Sequence, residues 1–192
     1  MHTLEALHKA ESKASLTLVL PEDHFNTWDT LCENHSFSLP HHKVAGGETR
    51  FHSVKNGLAT LHSGLISVHD GVRPLVSVAT VQRVFAAAEI SGAAVPVIDV
   101  NESVRSLSGT ESKALNRAEI KLVQTPQCFH YDLMYKAFEQ EYSARFTDCA
   151  SVLEAHGVGI TLVEGNEENI KLTRPQDLAL AAWYTEHNMN SR

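Results

Sequence analysis

The residues best equipped for chemistry lie in Leu65–Pro74, LISVHDGVRP. A short apolar run, Leu65-Ile66-Ser67-Val68, stops in His69, Asp70, Gly71, Arg73 and Pro74. In open α/β sheets, ligands bind outside the carboxyl ends of buried strands, where such residues emerge. Asp70 could hold a metal ion or a sugar hydroxyl, and Arg73 a phosphate. The same ten residues would also make a plain turn closed by an Asp–Arg pair, and by themselves they leave both readings open. Ala45-Gly46-Gly47-Glu48-Thr49-Arg50 precedes a helical pattern, as an anion or base site would. Its adjacent glycines would let the backbone approach a flat ring, with Glu48 accepting from an exocyclic amino group. A simple strand–helix turn explains the stretch equally. Lys171 falls near Arg174 and Asp177, where a lysine at a strand end can neutralise a transferring phosphoryl group; a solvated lysine is the commoner case. Ser103, Arg105, Arg117, Thr125 and Thr147 could together clamp a phosphate, though each is weak singly.

Other chemistries are excluded by pattern. The twelve histidines show no HExxH and no Cys/His pair at zinc spacing. His41, His42, His52, His62 and His156 read as surface residues, and His69 as a satisfied core histidine or a support for Asp70. No GxSxG hydrolase signature occurs. Neither GxGxxG nor GxxxxGK[ST] is found. Three cysteines without CxxC spacing favour reduced thiols and a cytoplasmic setting over a disulfide framework. A formal charge of −7 argues against a nucleic-acid partner, which needs a basic face. No apolar run reaches the ~20 residues of a membrane-spanning helix.

The elements that must position these residues alternate. With 192 residues, 43% hydrophobic and 20% charged, one α/β domain is the expectation. Met1–Ala10 reads as an amphipathic helix, followed by a strand at Leu16–Leu20. A helix over Glu22–Glu33 carries Phe25, Trp28, Leu31 and Cys32 on its buried side, and Phe37–Val44 is extended. Helices are expected at Thr49–Leu61, Ser77–Ile90, Tyr131–Glu139, from Thr147-Asp148, and from Pro175 to about His187. Strands are expected at Leu65–Val68, Ala93–Ile98 and Gly159–Val163, with a strand end at Val123–Gln127 and a short extended piece at Asn169–Leu172. Trp28 and Trp183 read as core. Strands and helices alternating in this way imply a mostly parallel sheet with right-handed crossovers. The polar stretch 99–122 breaks the pattern. Weak alternation in Ser103–Leu107 and Glu119–Val123 suggests a hairpin arm, which usually packs on a partner subunit.

Seven segments in order then resemble one family: AGGETRFHSV, VHDGVRP, AVPVID with ESVR, LNR, QTPQCF, TDCAS and VEGNEENIKLTRPQDLALA. The series is similar to the 2-C-methyl-D-erythritol 4-phosphate cytidylyltransferases and covers nearly the whole chain. The resemblance implies a single Rossmann-like nucleotidyltransferase domain over 1–192, with a mostly parallel sheet, helices on both faces and a β-hairpin arm over about 99–122 that dimerises. It implies that CTP and methylerythritol phosphate give CDP-methylerythritol and pyrophosphate, with Mg²⁺, in the cytoplasm, with neither nucleic acid nor membrane as partner.

By the same resemblance Gly47, Glu48 and Ser53 match positions that read the cytosine and its ribose side. Asp70, the implied metal ligand, and Arg73 match substrate-site positions. Ser103 and Arg117 match arm residues, Arg117 gripping the substrate phosphate across the dimer. Thr125 and Thr147 match polyol or phosphate contacts, and Lys171 matches the lysine that stabilises charge at the α-phosphate. Glu48 stands where the family often has Asp, Ser103 where it often has Thr, and Cys149 where it often has Glu. The family opens with a strand and a glycine-rich basic loop. This chain opens at the helix that follows them, so an incomplete N-terminus is expected. Two other readings are ribitol 5-phosphate cytidylyltransferase, which shares the fold and the CTP motifs, and a non-catalytic dimerising remnant.

Overall fold

The computed structural model describes residues 1–188. Its core strands form where β-branched and apolar residues cluster, and its helices where apolar residues recur every three or four positions. The elements in chain order are α1 (His2–Ala10), β1 (Thr17–Leu20), α2 (Phe25–Asn34), β2 (His42–Ala45), α3 (Arg50–Leu58), β3 (Leu65–Val68), α4 (Val78–Ser91) and β4 (Ala93–Asp99). There follow β5 (Arg105–Ser108), β6 (Glu111–Ala114), β7 (Lys121–Val123), β8 (Gln127–His130), α5 (Tyr131–Ala137), α6 (Cys149–Ala155), β9 (Thr161–Glu164) and α7 (Pro175–Asn188).

Strands β1 and β2 pair in parallel as a sheet of their own. The main sheet is built around β4, which takes β9 in parallel on one side, Val95 opposite Leu162. Along β4 run β7 and β8, both antiparallel, with Val97 opposite Val123 and Ala93 opposite Phe129. Strand β8 also pairs antiparallel with β3, so β3, β4 and β9 all point one way. The α/β Rossmann-like architecture agrees with the sequence. The antiparallel β8 is an addition, because Gln127–His130 was not expected to be a strand.

Local signals account for the helix ends. Ser77 caps α4 by accepting from the Thr80 N–H, and left-handed Gly92 (φ 84°) ends it. Asp148 and Ser151 form a reciprocal capping box at the start of α6. The core lies between sheet and helices. Phe51 of α3 stacks on Phe138 at 4.8 Å, and Phe129, Met134 and Leu153 are buried with them.

Four expectations need correction. The arm is a hairpin, but its strands are Arg105–Ser108 and Glu111–Ala114. Lys121–Val123, expected as the second arm strand, instead joins β4. Backbone pairing to a buried core strand wins there over pairing within an exposed arm. Trp183 is 52% exposed and outside the core, because it stands two residues, about 200° around α7, from buried Ala181. Leu31 is 41% exposed, and α2 buries no residue fully. Residues 169–172 contain no strand, although the Leu172 N–H donates to the Val72 carbonyl at 2.9 Å.

Candidate active site

The site begins where β3 ends. The backbone after Val68 turns tightly, the Arg73 N–H donating to the Asp70 carbonyl at 3.0 Å. Thr125, in the break between β7 and β8, sits beside this turn. Its hydroxyl accepts from the Asp70 N–H at 3.1 Å and lies 3.1 Å from His69 Nδ1. His69 Nε2 lies 2.9 Å from the Arg73 carbonyl, which can only accept, so the proton is on Nε2 and the Thr125 hydroxyl donates to Nδ1. Burial keeps the His69 imidazole neutral, with its pKa below the ordinary value. His69 is therefore both a satisfied histidine and a brace for the turn. Thr3 of α1 adds a third brace, its hydroxyl donating to the Gly71 carbonyl at 2.8 Å.

Three cations surround the Asp70 carboxylate, whose side chain is 14% exposed. Arg50 Nε and Nη2, at the start of α3, donate to Oδ1, both at 3.3 Å. Lys171 Nζ lies 3.1 Å from Oδ2, and Arg73 Nε lies 3.6 Å from the same oxygen. Burial pushes this carboxyl up, but Arg50, then Lys171 and Arg73, outweigh it and hold the pKa below the usual carboxylate range. Three cations against one carboxylate leave two net positive charges, a setting for phosphates. A cavity of about 610 Å³ opens beside the cluster, with Arg50, Ser53, Asp70 and Lys171 in its wall next to Leu18 and Ile66. That volume lies in the range of small-molecule sites.

Arg50 was not singled out from sequence. A residue just inside a helix start gives no signal of how far it reaches. Its Nη1 donates to Cys149 Sγ at 3.4 Å. Burial pushes the Cys149 thiol up to about 11 despite Arg50, so at neutral pH the sulfur acts as a neutral acceptor. Gln127 puts Cys149 there, its Oε1 accepting from the Cys149 and Ala150 N–H groups while Nε2 donates to Asp148.

At the start of α3 the Gly47 N–H donates to Ser53 Oγ at 3.0 Å, and Thr49 caps the helix through the His52 N–H. A Cβ on Gly47 would come within 2.5 Å of His52 Cβ, so the close turn there requires glycine. Glu48 is exposed beside it.

The structure therefore joins Asp70, Arg73, Thr125 and Lys171, and places Gly47, Glu48 and Ser53 at the next strand end. It does not assemble the five-residue clamp within one chain. Arg105 donates to Ser112, Arg117 donates to the Asn101 carbonyl at 2.5 Å, and Ser103 and Thr147 are exposed. Nor do Lys171 and Asp177 work together, since Asp177 instead accepts from the Thr173 and Arg174 N–H groups ahead of α7. Among the described residues no group of three or more His, Cys, Asp or Glu could hold a metal ion. A single carboxylate can share Mg²⁺ with substrate phosphates, but both Asp70 oxygens are engaged by Arg50, Lys171 and Arg73, so a metal arriving with a nucleotide would have to displace one of these cations.

Comparison with known proteins bears on this geometry. Residues 1–187 match the family model described as IspD: 2-C-methyl-D-erythritol 4-phosphate cytidylyltransferase. The 2-C-methyl-D-erythritol 4-phosphate cytidylyltransferase of Bacteroides fragilis is 51% identical over 183 residues, covering 95% of this chain and 84% of that protein. The crystal structure of the Thermus thermophilus enzyme of the same name superposes with a TM-score of 0.77 at 32% identity, covering 96% of this chain and 87% of that one. The 4-diphosphocytidyl-2C-methyl-D-erythritol synthase of Anaerococcus prevotii gives a TM-score of 0.85 at 25% identity, covering 96% and 84%.

Proposed function

This chain belongs to the 2-C-methyl-D-erythritol 4-phosphate cytidylyltransferase family, and from that premise we propose how its residues transfer a cytidylyl group from CTP to 2-C-methyl-D-erythritol 4-phosphate, releasing pyrophosphate, in the non-mevalonate route to isoprenoids. The observation that carries this reading is the Asp70 cluster, in which Arg50, Arg73 and Lys171 leave net positive charge around one carboxylate.

The reaction is an in-line attack of a substrate phosphate oxygen on the α-phosphorus of CTP, with pyrophosphate leaving. Positioning and charge neutralisation supply the catalysis, and no covalent enzyme intermediate is needed. Lys171 neutralises charge growing on the α-phosphate. Arg73, beside Asp70, is assigned the polyol phosphate, and the exposed Thr147 is assigned to it by its match to the family. Thr125 is buried, and its hydroxyl accepts from the Asp70 N–H and donates to His69, so it serves the substrate by holding the Asp70 turn in place. The Gly47 backbone, Glu48 and Ser53 take the cytosine and ribose. Asp70 would share Mg²⁺ with the nucleotide phosphates, and the ion would add Lewis-acid stabilisation.

The arm reaches a second subunit in this reading, giving a homodimer in which Arg117 and Ser103 serve the partner's site. Its support is that every residue of β5 and β6 is exposed, Leu107 at 77%. A lone two-stranded hairpin is marginal in water. The buried free thiols Cys128 and Cys149 suit a cytoplasmic enzyme. Among the described residues no helix is long and apolar enough to cross a membrane.

The test is pyrophosphate release from CTP with methylerythritol phosphate or with ribitol 5-phosphate. Release with the first is expected. Release only with the second would reassign the substrate, and CTP binding without any release would return the non-catalytic reading.

A further inference from the structure

Lys171 lies on residues 165–174, which link β9 to α7 with neither strand nor helix of their own. One backbone bond anchors the neighbouring residue, the Leu172 N–H to the Val72 carbonyl at 2.9 Å, and side chains must supply the rest of what fixes the Lys171 ammonium against Asp70. Asn169 in this stretch is fully buried, at 0% exposure. Its Nδ2 donates to the Thr125 carbonyl at 2.8 Å and toward Gln124 Oε1 at 3.4 Å. Its own main-chain carbonyl accepts from Arg73 Nη1 at 2.7 Å. Its Oδ1 is buried without a hydrogen-bond partner, so the carboxamide acts there as a donor.

These bonds close a ring. Asp70 binds Thr125 through its N–H, Thr125 binds the Asn169 carboxamide, Asn169 leads two residues on to Lys171, and Lys171 returns to Asp70. Arg73 is tied into the same ring through the Asn169 carbonyl. We propose that Asn169 is a positioning residue, whose buried carboxamide fixes Lys171 and Arg73 relative to Asp70 and so acts on turnover through Lys171. The proposal rests on the role given above to Lys171.

Its signature is kinetic. A displacement of about 1 Å in a catalytic group can cost on the order of 10²-fold in rate. Asn169→Ala is therefore expected to lower kcat roughly 10- to 100-fold, with the KM for CTP changed less than about threefold. In a Lys171→Ala background the same change should cost almost nothing more, because residues acting through one another are not additive. A purely structural role would lower the melting temperature, leave kcat per folded molecule unchanged and add its effect to that of Lys171→Ala. Asn169→Leu is close in size and removes both donors without burying a charge; it should show the same kcat loss, and it serves if the alanine variant does not fold. Full additivity in the double variant, or unchanged kcat in Asn169→Leu, overturns the proposal alone. Unchanged kcat in Lys171→Ala would overturn the reading of the site, and this proposal with it.

Discussion

Lys171 Nζ lies 3.1 Å from Asp70 Oδ2, although Asp70 follows the third strand and Lys171 precedes the last helix. In the proposed mechanism the pair holds this cation where negative charge grows on a phosphate. Without nucleotide, Asp70 holds the ammonium; with nucleotide, the phosphates compete for it.

Loss of that cation should therefore act on turnover before binding. Lys171→Ala is expected to lower kcat by roughly 10²–10³-fold, the cost of removing one preorganised charge-stabilising donor. The KM for CTP should move far less. Steady-state pyrophosphate release measures both, and an unchanged kcat would remove Lys171 from the mechanism.

The glycine turn before α3 makes a steric prediction. A methyl group on Gly47 would meet His52 Cβ at 2.5 Å and the His52 carbonyl carbon at 3.1 Å, so the backbone must shift. Gly47→Ala should destabilise the protein by about 1–3 kcal/mol, as overpacking does, and raise the KM for CTP. Thermal unfolding and CTP titration check the two parts. An unaltered KM would show that the turn does not meet the base.

If the arm crosses a dimer, defects on different subunits should complement. Arg117→Ala should raise the KM for the polyol phosphate. Mixing it with Lys171→Ala under subunit exchange should regenerate about a quarter of wild-type sites, since half the dimers are mixed and each mixed dimer has one intact site. Mixtures as inactive as their components would place Arg117 in its own subunit's site or in none.

Acidification should weaken the fold through His69. Its folded pKa is lowered from the ordinary 6.5 by burial. Stability is therefore complete above that value. It falls as the pH drops below it, because the unfolded chain takes up a proton that the folded imidazole resists. Asp70 acts lower. Its folded pKa is depressed, so its contribution is present above the usual carboxylate value of 3.8 and is lost as the pH falls through the folded one. Urea unfolding from about pH 7.5 to about pH 5 should show a slope that His69→Gln reduces. Equal slopes in the two proteins would mean that the imidazole protonates freely in the folded state.

Buried thiols should resist alkylation. Burial raises the Cys128 thiol to about 12 and the Cys149 thiol to about 11. At about pH 8 both are almost wholly protonated and enclosed, so iodoacetamide should label the partly exposed Cys32 first. Rapid labelling of Cys149 in folded protein, read by mass spectrometry, would contradict its packing against Arg50.

By itself the sequence determined what is local. Apolar spacing defined α1, α3, α4 and α5, Leu65–Val68 is strand β3 as read, and Asp148 and Gly157 bracket α6 as capping chemistry requires. The ordered segments also carried the family. Tertiary structure decided what depends on distant partners. Gln127–His130 became a strand because β3 and β4 each offered it a backbone edge. Lys121–Val123 left the arm for β4. Arg50 and Asn169 entered the site through contacts with Asp70, Arg73, Thr125 and Cys149. No local pattern encodes such contacts, because side-chain reach and strand pairing are settled only when the whole sheet is assembled.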